Sequence, residues 1–284
     1  MKTLLVCTDG SPYAASIYDH AAWVANRTDA SIQLLHTLDP HHERADRADF
    51  SGNLTTDDSD ELLQELARID SARARLARER GKQILEAAQK HLAPITQVPV
   101  SAMQQHGELV EAVTRLESKA DLLVVGKRGE SADFAKMHLG SNLERVLRAS
   151  IRPVLVASRQ FRPIKRFLIA YDGGPSVEKA VAHAVSEPLL KGLECHLIRA
   201  GKLDANAEWF TNEAADKLRA AGFDVQMHIL PGHPEEAIAG LVTEHSIDLL
   251  VMGAYGHSRI RNLILGSTTT ALVRTCLIPV LMFR

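Results

Sequence analysis

The sequence predicts an α/β protein built as two tandem open five-stranded parallel sheets flanked by helices, and three observations predict it. At 284 residues the chain is long enough for two ordinary domains. Short apolar runs alternate with longer amphipathic stretches, the pattern of buried parallel strands covered by helices on both faces. The same landmarks also return in the same order in the second half.

Leu4-Leu5-Val6-Cys7-Thr8-Asp9-Gly10-Ser11 answers Phe167-Leu168-Ile169-Ala170-Tyr171-Asp172-Gly173-Gly174, an apolar run halted at Asp-Gly. Ala120-Asp121-Leu122-Leu123-Val124-Val125-Gly126 answers Ile247-Asp248-Leu249-Leu250-Val251-Met252-Gly253, and Ile151-Arg152-Pro153-Val154-Leu155-Val156 answers Leu277-Ile278-Pro279-Val280-Leu281-Met282. A duplicated domain follows, 1–160 and 161–284, joined near Ser158 to Pro163. In copy one the strands fall near 3–8, 31–37, 97–103, 121–126 and 153–157, with helices near 12–26, 60–92, 108–118 and 140–149. In copy two the strands fall near 166–171, 194–199, 224–230, 248–253 and 279–283, with helices near 175–187, 205–221, 234–244 and 266–275.

The copies are unequal. Asp172 follows Asp9 by 163 positions but Gly253 follows Gly126 by only 127, so copy one holds 36 more residues between those landmarks. The excess is placed at about 39–75: a polar stretch from Asp39 to Asp60 reads as a solvated loop, leading into a long charged helix. Leu62, Leu63, Leu66, Ile69, Leu76, Ile84 and Leu85 give that helix an apolar stripe.

Composition narrows the function classes. A net charge of -2 lacks the basic footprint of a general nucleic-acid binder, so no nucleic acid is expected. Three scattered cysteines, Cys7, Cys195 and Cys276, build neither a disulfide framework nor a Cys-rich zinc site and fit a reducing compartment. No apolar run is long enough to span a membrane, and Met1 to Asp9 is too short and too soon charged for a signal peptide, so the cytoplasm is the expected location.

The chemistry concentrates after the fourth strand of copy two. Gly253-Ala254-Tyr255-Gly256 is followed, nine residues later, by Gly266-Ser267-Thr268-Thr269 opening an apolar helix. Ligands of open parallel sheets lie beyond the carboxyl ends of the strands. Glycine admits a phosphate close to the backbone, and a helix N-terminus offers unpaired N–H groups and partial positive charge. A di- or triphosphate fits along Gly253, Gly256 and Gly266, with Ser267 and Thr268 adding hydroxyls.

In this setting, between an Asp-Leu-Leu-Val-Met-Gly strand and an Ile-Pro-Val-Leu strand, the glycine pattern resembles the ATP-binding branch of the universal stress protein family, and the resemblance covers nearly the whole chain twice. It implies a Rossmann-like five-stranded fold of the adenine nucleotide α-hydrolase kind, and ATP with Mg2+ or another divalent cation as cofactor. It further implies that Asp172 faces the nucleoside, that the strand end around Ile198 to Ala200 flanks the adenine, and that chains associate through their last strands. The two copies are expected to pair those strands with each other, with a homodimer and an unknown protein partner as further associations.

Copy one departs from the pattern. It keeps Asp9, Gly126 and Gly129, but ten residues separate Gly129 from Gly140, and Ser141-Asn142 replaces Ser267-Thr268. Lys127 and Arg128 are available to pair with phosphate oxygens. Copy two is therefore the principal nucleotide site and Asp9, Gly126, Lys127, Gly129, Gly140 and Ser141 a weaker second one.

Plainer readings stand beside these. The three glycines also serve strand-to-helix turns, and Ser267 an N-cap; Asp9 and Asp172 also fix Asp-Gly turns; Arg259 and Arg261 reach phosphates or are simply solvated. His36, His41 and His42 with Asp39 and Glu43 suggest metal, but lack a second regular pair of ligands and read as a polar loop. His106, His233 and His257 have no paired nucleophile and carry no catalytic label. Cys7 and Cys276 read as small core hydrophobes, and Trp23 and Trp209 as covers of helix contacts. Three function classes remain: a regulatory protein that holds ATP during a stress response, a slow ATPase, and a nucleotide-free interaction protein for a macromolecule or small apolar ligand. No phosphate-loop Gly-Lys-Ser/Thr and no evident base favour the first.

Overall fold

The computed structural model describes residues 1–39, 56–127, 141–201, 205–254 and 266–284. Copy one runs β1 (Thr3–Cys7), α1 (Ala14–Thr28), β2 (Ser31–Leu38), α2 (Thr56–Leu92), β3 (Val100–His106), α3 (Leu109–Leu116), β4 (Leu122–Gly126), α4 (Ser141–Ala149) and β5 (Val154–Ala157). Copy two runs β6 (Arg166–Ala170), α5 (Pro175–Ser186), β7 (Glu194–Ala200), α6 (Ala205–Ala220), β8 (Val225–Leu230), α7 (Pro234–Glu244), β9 (Leu249–Gly253), α8 (Ser267–Thr275) and β10 (Val280–Phe283). The third strand lies three residues later than its apolar signal, at Val100–His106 rather than 97–103, because its register is set by β2, where Leu38 pairs with His106.

The strands form one continuous sheet in the order β3-β2-β1-β4-β5-β10-β9-β6-β7-β8. All pairings are parallel except β5 with β10, which run antiparallel with Leu155 opposite Leu281. Those two leucines are each other's counterparts in the repeat, so a pseudo-twofold axis passes between them. The pairing of last strands expected from the resemblance thus occurs within the chain and closes both edges.

Alternation along the strands sorts the core into two layers. Leu4, Val6, Phe167 and Ile169 join α1, α2, α5 and α6 on one face. Leu5, Cys7, Leu168 and Leu250 join α3, α4, α7 and α8 on the other. Equivalent helices of the two copies share a face, and the middle pairing is antiparallel. The carboxyl ends of the two sets of strands consequently emerge on opposite rims of the sheet.

Matched polar groups hold the strand starts and the seam. Asp121 Oδ2 accepts the Lys2 and Thr3 N–H groups at 2.6 and 3.0 Å, and Asp248 Oδ2 accepts those of Lys165 and Arg166, both at 2.9 Å. Burial works against the charged Asp121 carboxylate, but its two N–H donors together with the nearby N-terminal ammonium and Arg152 outweigh it and hold the group below the usual carboxylate range. Across the seam, Lys127 Nζ donates to the Cys276 carbonyl at the end of α8, and Arg284 Nη1 donates to the Arg148 carbonyl at 2.6 Å near the end of α4. Each copy thereby supplies a cation to the negative end of the other's last helix. All three cysteines are buried free thiols, and burial pushes Cys7 up to about 12, as it does Cys195. Trp23 packs partly buried against the core, whereas Trp209 is 60% exposed, edge-to-face with Phe210.

Candidate functional site

On the rim of copy two, the end of β6 turns into α5 through Asp172, Gly173 and Gly174. Asp172 Oδ1 accepts the Gly174 N–H at 2.8 Å, and Gly173 takes φ +76°, a left-handed conformation that a side chain resists. The aspartate therefore shapes the turn, a role compatible with facing a ligand. Before it, the buried Tyr171 donates its hydroxyl to Glu178, and burial together with that carboxylate pushes the phenol pKa up, which keeps it a neutral donor.

The neighbouring strand contributes two residues in opposite directions. Ile198 is 1% exposed within the α7 and α8 layer, and its carbonyl accepts the Tyr171 N–H at 2.9 Å. Arg199 reaches the turn instead: its Nη1 lies 3.5 Å from where a Gly173 Cβ would stand, and its Nε is buried without a hydrogen-bond partner among the described residues. Sequence reasoning named the strand end but not this side chain, whose only signal was its position next to Ile198.

The two described glycines of the motif differ in what they do. A Cβ on Gly253 would meet Ser176 Cβ at 2.9 Å and Val177 N at 3.1 Å. Packing of β9 against the start of α5 thus demands glycine there. Gly266 has φ -56° and ψ 145°, open to any residue, and among the described residues its Cβ would meet only Thr269 of its own helix, at 3.4 Å for Oγ1. The described neighbours set no such requirement. Gly266 caps α8 without a side-chain hydrogen bond, so the first-turn N–H groups, beside exposed Ser267 and half-buried Thr268, have no partner within the helix. Thr269, buried, donates to the Ala254 carbonyl at 3.2 Å and ties the head of α8 to the end of β9. Gly256, Arg259, Arg261 and His257 lie outside the described residues.

The rim of copy one repeats the turn but not its surroundings. Asp9 Oδ1 accepts the Ser11 N–H at 3.0 Å and Gly10 takes φ +71°. Ile84 of α2 stands over it, 2.6 Å from a hypothetical Gly10 Cβ, in the place that Arg199 takes beside Gly173. Lys127 is engaged with the Cys276 carbonyl across the seam, Gly126 ends β4 and Ser141 begins α4. Arg128, Gly129 and Gly140 lie outside the described residues, as do His41 and His42. His36 donates its Nδ1 N–H to the Thr8 carbonyl at 2.8 Å, and no group of three or more metal-ligating side chains occurs among the described residues. No helix among them is long and apolar enough to cross a membrane.

Comparison with known proteins matches the universal stress protein family model twice, over residues 1–158 and 163–284. The universal stress protein Slr1230 of Synechocystis is 38% identical over 287 residues, covering 100% of both chains. Universal stress protein MT2052 of Mycobacterium tuberculosis is 23% identical over 304 residues, covering 99% of this chain and 94% of its own. A universal stress protein of Archaeoglobus fulgidus superposes with a TM-score of 0.73 at 20% identity, over 99% of this chain and 98% of its own.

Proposed function

The chain belongs to the universal stress protein family, and from that premise we propose that it is a regulatory protein that holds ATP on the rim of copy two. The observation that carries this reading is Gly266: a glycine that its own backbone and its described neighbours do not require, at the head of a helix whose first N–H groups are unpartnered within it. The phosphates lie on Gly266, Ser267 and Thr268, and the nucleoside lies toward the Asp172 turn and the β7 end. Gly256 and Arg259 complete the loop in the sequence pattern. Arg199 adds a cation beside the Gly173 turn, its buried Nε without a hydrogen-bond partner among the described residues.

The residues suit a phosphate chain better than a protein-held metal. A divalent cation bound with the nucleotide would neutralise charge on its phosphates. Copy one is the weaker site because Ile84 covers the Gly10 turn and Lys127 is drawn to Cys276. ATP binding stabilises whichever conformation binds it better, so occupancy changes the population available to a protein partner.

Mass spectrometry of nucleotide released from purified protein, joined to ATP titration of wild type and Gly266→Val, tests the reading. Expected are bound adenine nucleotide and a melting shift with ATP that the variant loses. Absence of any shift at millimolar ATP sinks the proposal. Timed ADP release, with Gly266→Val as the contaminant control, separates a holder from a slow ATPase.

A further inference from the structure

The helix after the second strand keeps the same buried face in both copies. Gly81, Leu85, Ala88 and Leu92 of α2 are buried, and so, 126 positions later, are Ala207, Thr211, Ala214 and Leu218 of α6. The helix flanks agree: His91 Nε2 pairs with Asp19 of α1 at 2.7 Å, and Lys217, again 126 positions on, pairs with Glu178 of α5 at 3.6 Å. By the same step Ile84 corresponds to Phe210. These two side chains do opposite things. Ile84 closes over the turn of copy one, 2.6 Å from a hypothetical Gly10 Cβ, whereas Phe210 is 48% exposed and has no atom within 4 Å of the same point on Gly173.

Helix geometry sets the height at which Phe210 stands. Residues seven apart share a face, so Phe210 lies on the α5-facing flank that Lys217 marks, about 10 Å nearer the head of α6. Glu178 is only three residues inside α5 from Pro175, about 4.5 Å along that helix. Both helices run back from the rim, so Phe210 is raised to the height of the Gly173 turn. Its ring meets that of Trp209, 60% exposed, edge-to-face at 4.9 Å between centroids, which leaves two aromatic rings in solvent at the rim. Beside the turn stands Arg199, with Nη1 3.5 Å from the hypothetical Gly173 Cβ and its buried Nε without a partner among the described residues.

Resting on the reading that copy two holds ATP, we propose that Phe210 is the stacking wall of the base pocket. The base lies between the Phe210 ring and the turn of Gly173 and Arg199, in the place that Ile84 takes in copy one. A nucleobase presents a flat π-face, and stacking on an aromatic ring removes that face and the exposed ring from water together. The head of α8 offers affinity to any polyphosphate, so Phe210 is what makes the site prefer a polyphosphate that carries a base. Stacking reads no hydrogen-bonding edge, and Phe210 therefore selects for a base without choosing which one.

Phe210→Ala should bind ATP roughly tenfold or more weakly, the loss expected of one base–aromatic stack, while inorganic triphosphate binds it as it binds wild type. Phe210→Tyr keeps the flat ring and should keep the ATP affinity. Trp209 emission should change on addition of ATP but not of triphosphate, and the change should vanish in Trp209→Phe. Because Phe210 is half exposed, the variants should melt like wild type without nucleotide, which separates a lost stack from a lost fold. The role of Phe210 is overturned, with ATP binding left standing, if wild type responds to ATP but Phe210→Ala binds it as tightly or loses ATP and triphosphate alike. Phe210→Tyr that binds no better than Phe210→Ala, or Trp209 emission that ATP leaves unmoved, overturns it as well. If ATP does not shift the melting of wild type, ATP binding itself fails and the stacking role falls with it.

Discussion

Replacing Gly253 and Gly266 one at a time by alanine separates a glycine needed by packing from one needed by a ligand. A Cβ at 253 would lie 2.9 Å from the Ser176 Cβ, well inside the roughly 3.5–4.0 Å optimum for carbon atoms. The second close neighbour is the Val177 backbone N at 3.1 Å, which cannot rotate away as a side-chain tip does. Overpacking of this kind costs about 1–3 kcal/mol, and a chain of this size loses roughly 2–4 °C of melting temperature per kcal/mol. At 266, among the described residues, the added methyl meets only the Thr269 side chain, at 3.4 Å for Oγ1. There alanine is the poorer N-cap by less than about 1 kcal/mol, offset by about 0.4–1 kcal/mol from a less flexible unfolded chain. Apo stability should therefore stay nearly unchanged in Gly266→Ala. Bound phosphate, displaced from the first-turn N–H groups, should lose one or two charge-assisted hydrogen bonds of about 1.5–3 kcal/mol each, a tenfold or greater loss of affinity. Thermal unfolding without nucleotide and calorimetric titration with ATP read the two effects separately. If Gly266→Ala melts as low as Gly253→Ala, or binds ATP as wild type does, the assignment of the two glycines is wrong.

Other outcomes follow from the same structure. Leu155→Ala should destabilise the chain by about 2–5 kcal/mol, as expected for a large buried side chain, since Leu155 is 1% exposed opposite Leu281 at the seam; a loss below about 1 kcal/mol in urea unfolding would contradict the packing described. Asp121→Asn and Asp248→Asn should each weaken the fold by about 1 kcal/mol or more through loss of a charged acceptor of two N–H groups, and near-equal losses in the two variants would support their equivalence. Acidification should also destabilise the protein. Burial depresses the pKa of His20, His183 and His228 below the ordinary 6.5, so the unfolded chain takes up protons first as pH falls. Their stabilising contribution is complete above about 6.5 and is lost as pH drops toward the folded values. His228 shares a 3.1 Å hydrogen bond with His196, whose other ring nitrogen donates to Glu194 at 3.1 Å, while His245 and Glu244 flank the pair. His228→Gln should flatten part of the decline in urea unfolding between pH 7.5 and 5.5, and an unchanged slope would refute that assignment.

Much of the fold was legible because periodicity and landmarks are local properties. The Asp-Gly ends of β1 and β6, the apolar runs of β4 and β9 and the Pro-started last strands placed those six strands, and the repeat supplied the architecture. The edge strand β3 was the least sharply placed, since its polar end at Gln104, Gln105 and His106 carries no apolar signal. For the site, the motif located the rim but not which residue does what. Gly253 and Gly266 are the same letter, and only the neighbours of each Cβ distinguish them. Ile198 and Arg199 are adjacent, and only the pleat decides that one enters the core while the other reaches the turn. The stripe assigned to α2 likewise divided, with Leu85 buried on the body while Leu66, Ile69 and Leu76 remain in solvent.

By itself, the sequence determined the fold class, the duplication and the family, because burial pattern, turn residues and repeated spacing are written along the chain. Tertiary structure alone decided that the β5 and β10 pairing runs antiparallel so that the two rims face opposite ways, that Lys127 and Arg284 cap helices across the seam, and that Ile84 covers the turn of copy one. The physical reason is separation: those contacts join residues far apart in the chain, and their distances and directions exist only once the strands have paired.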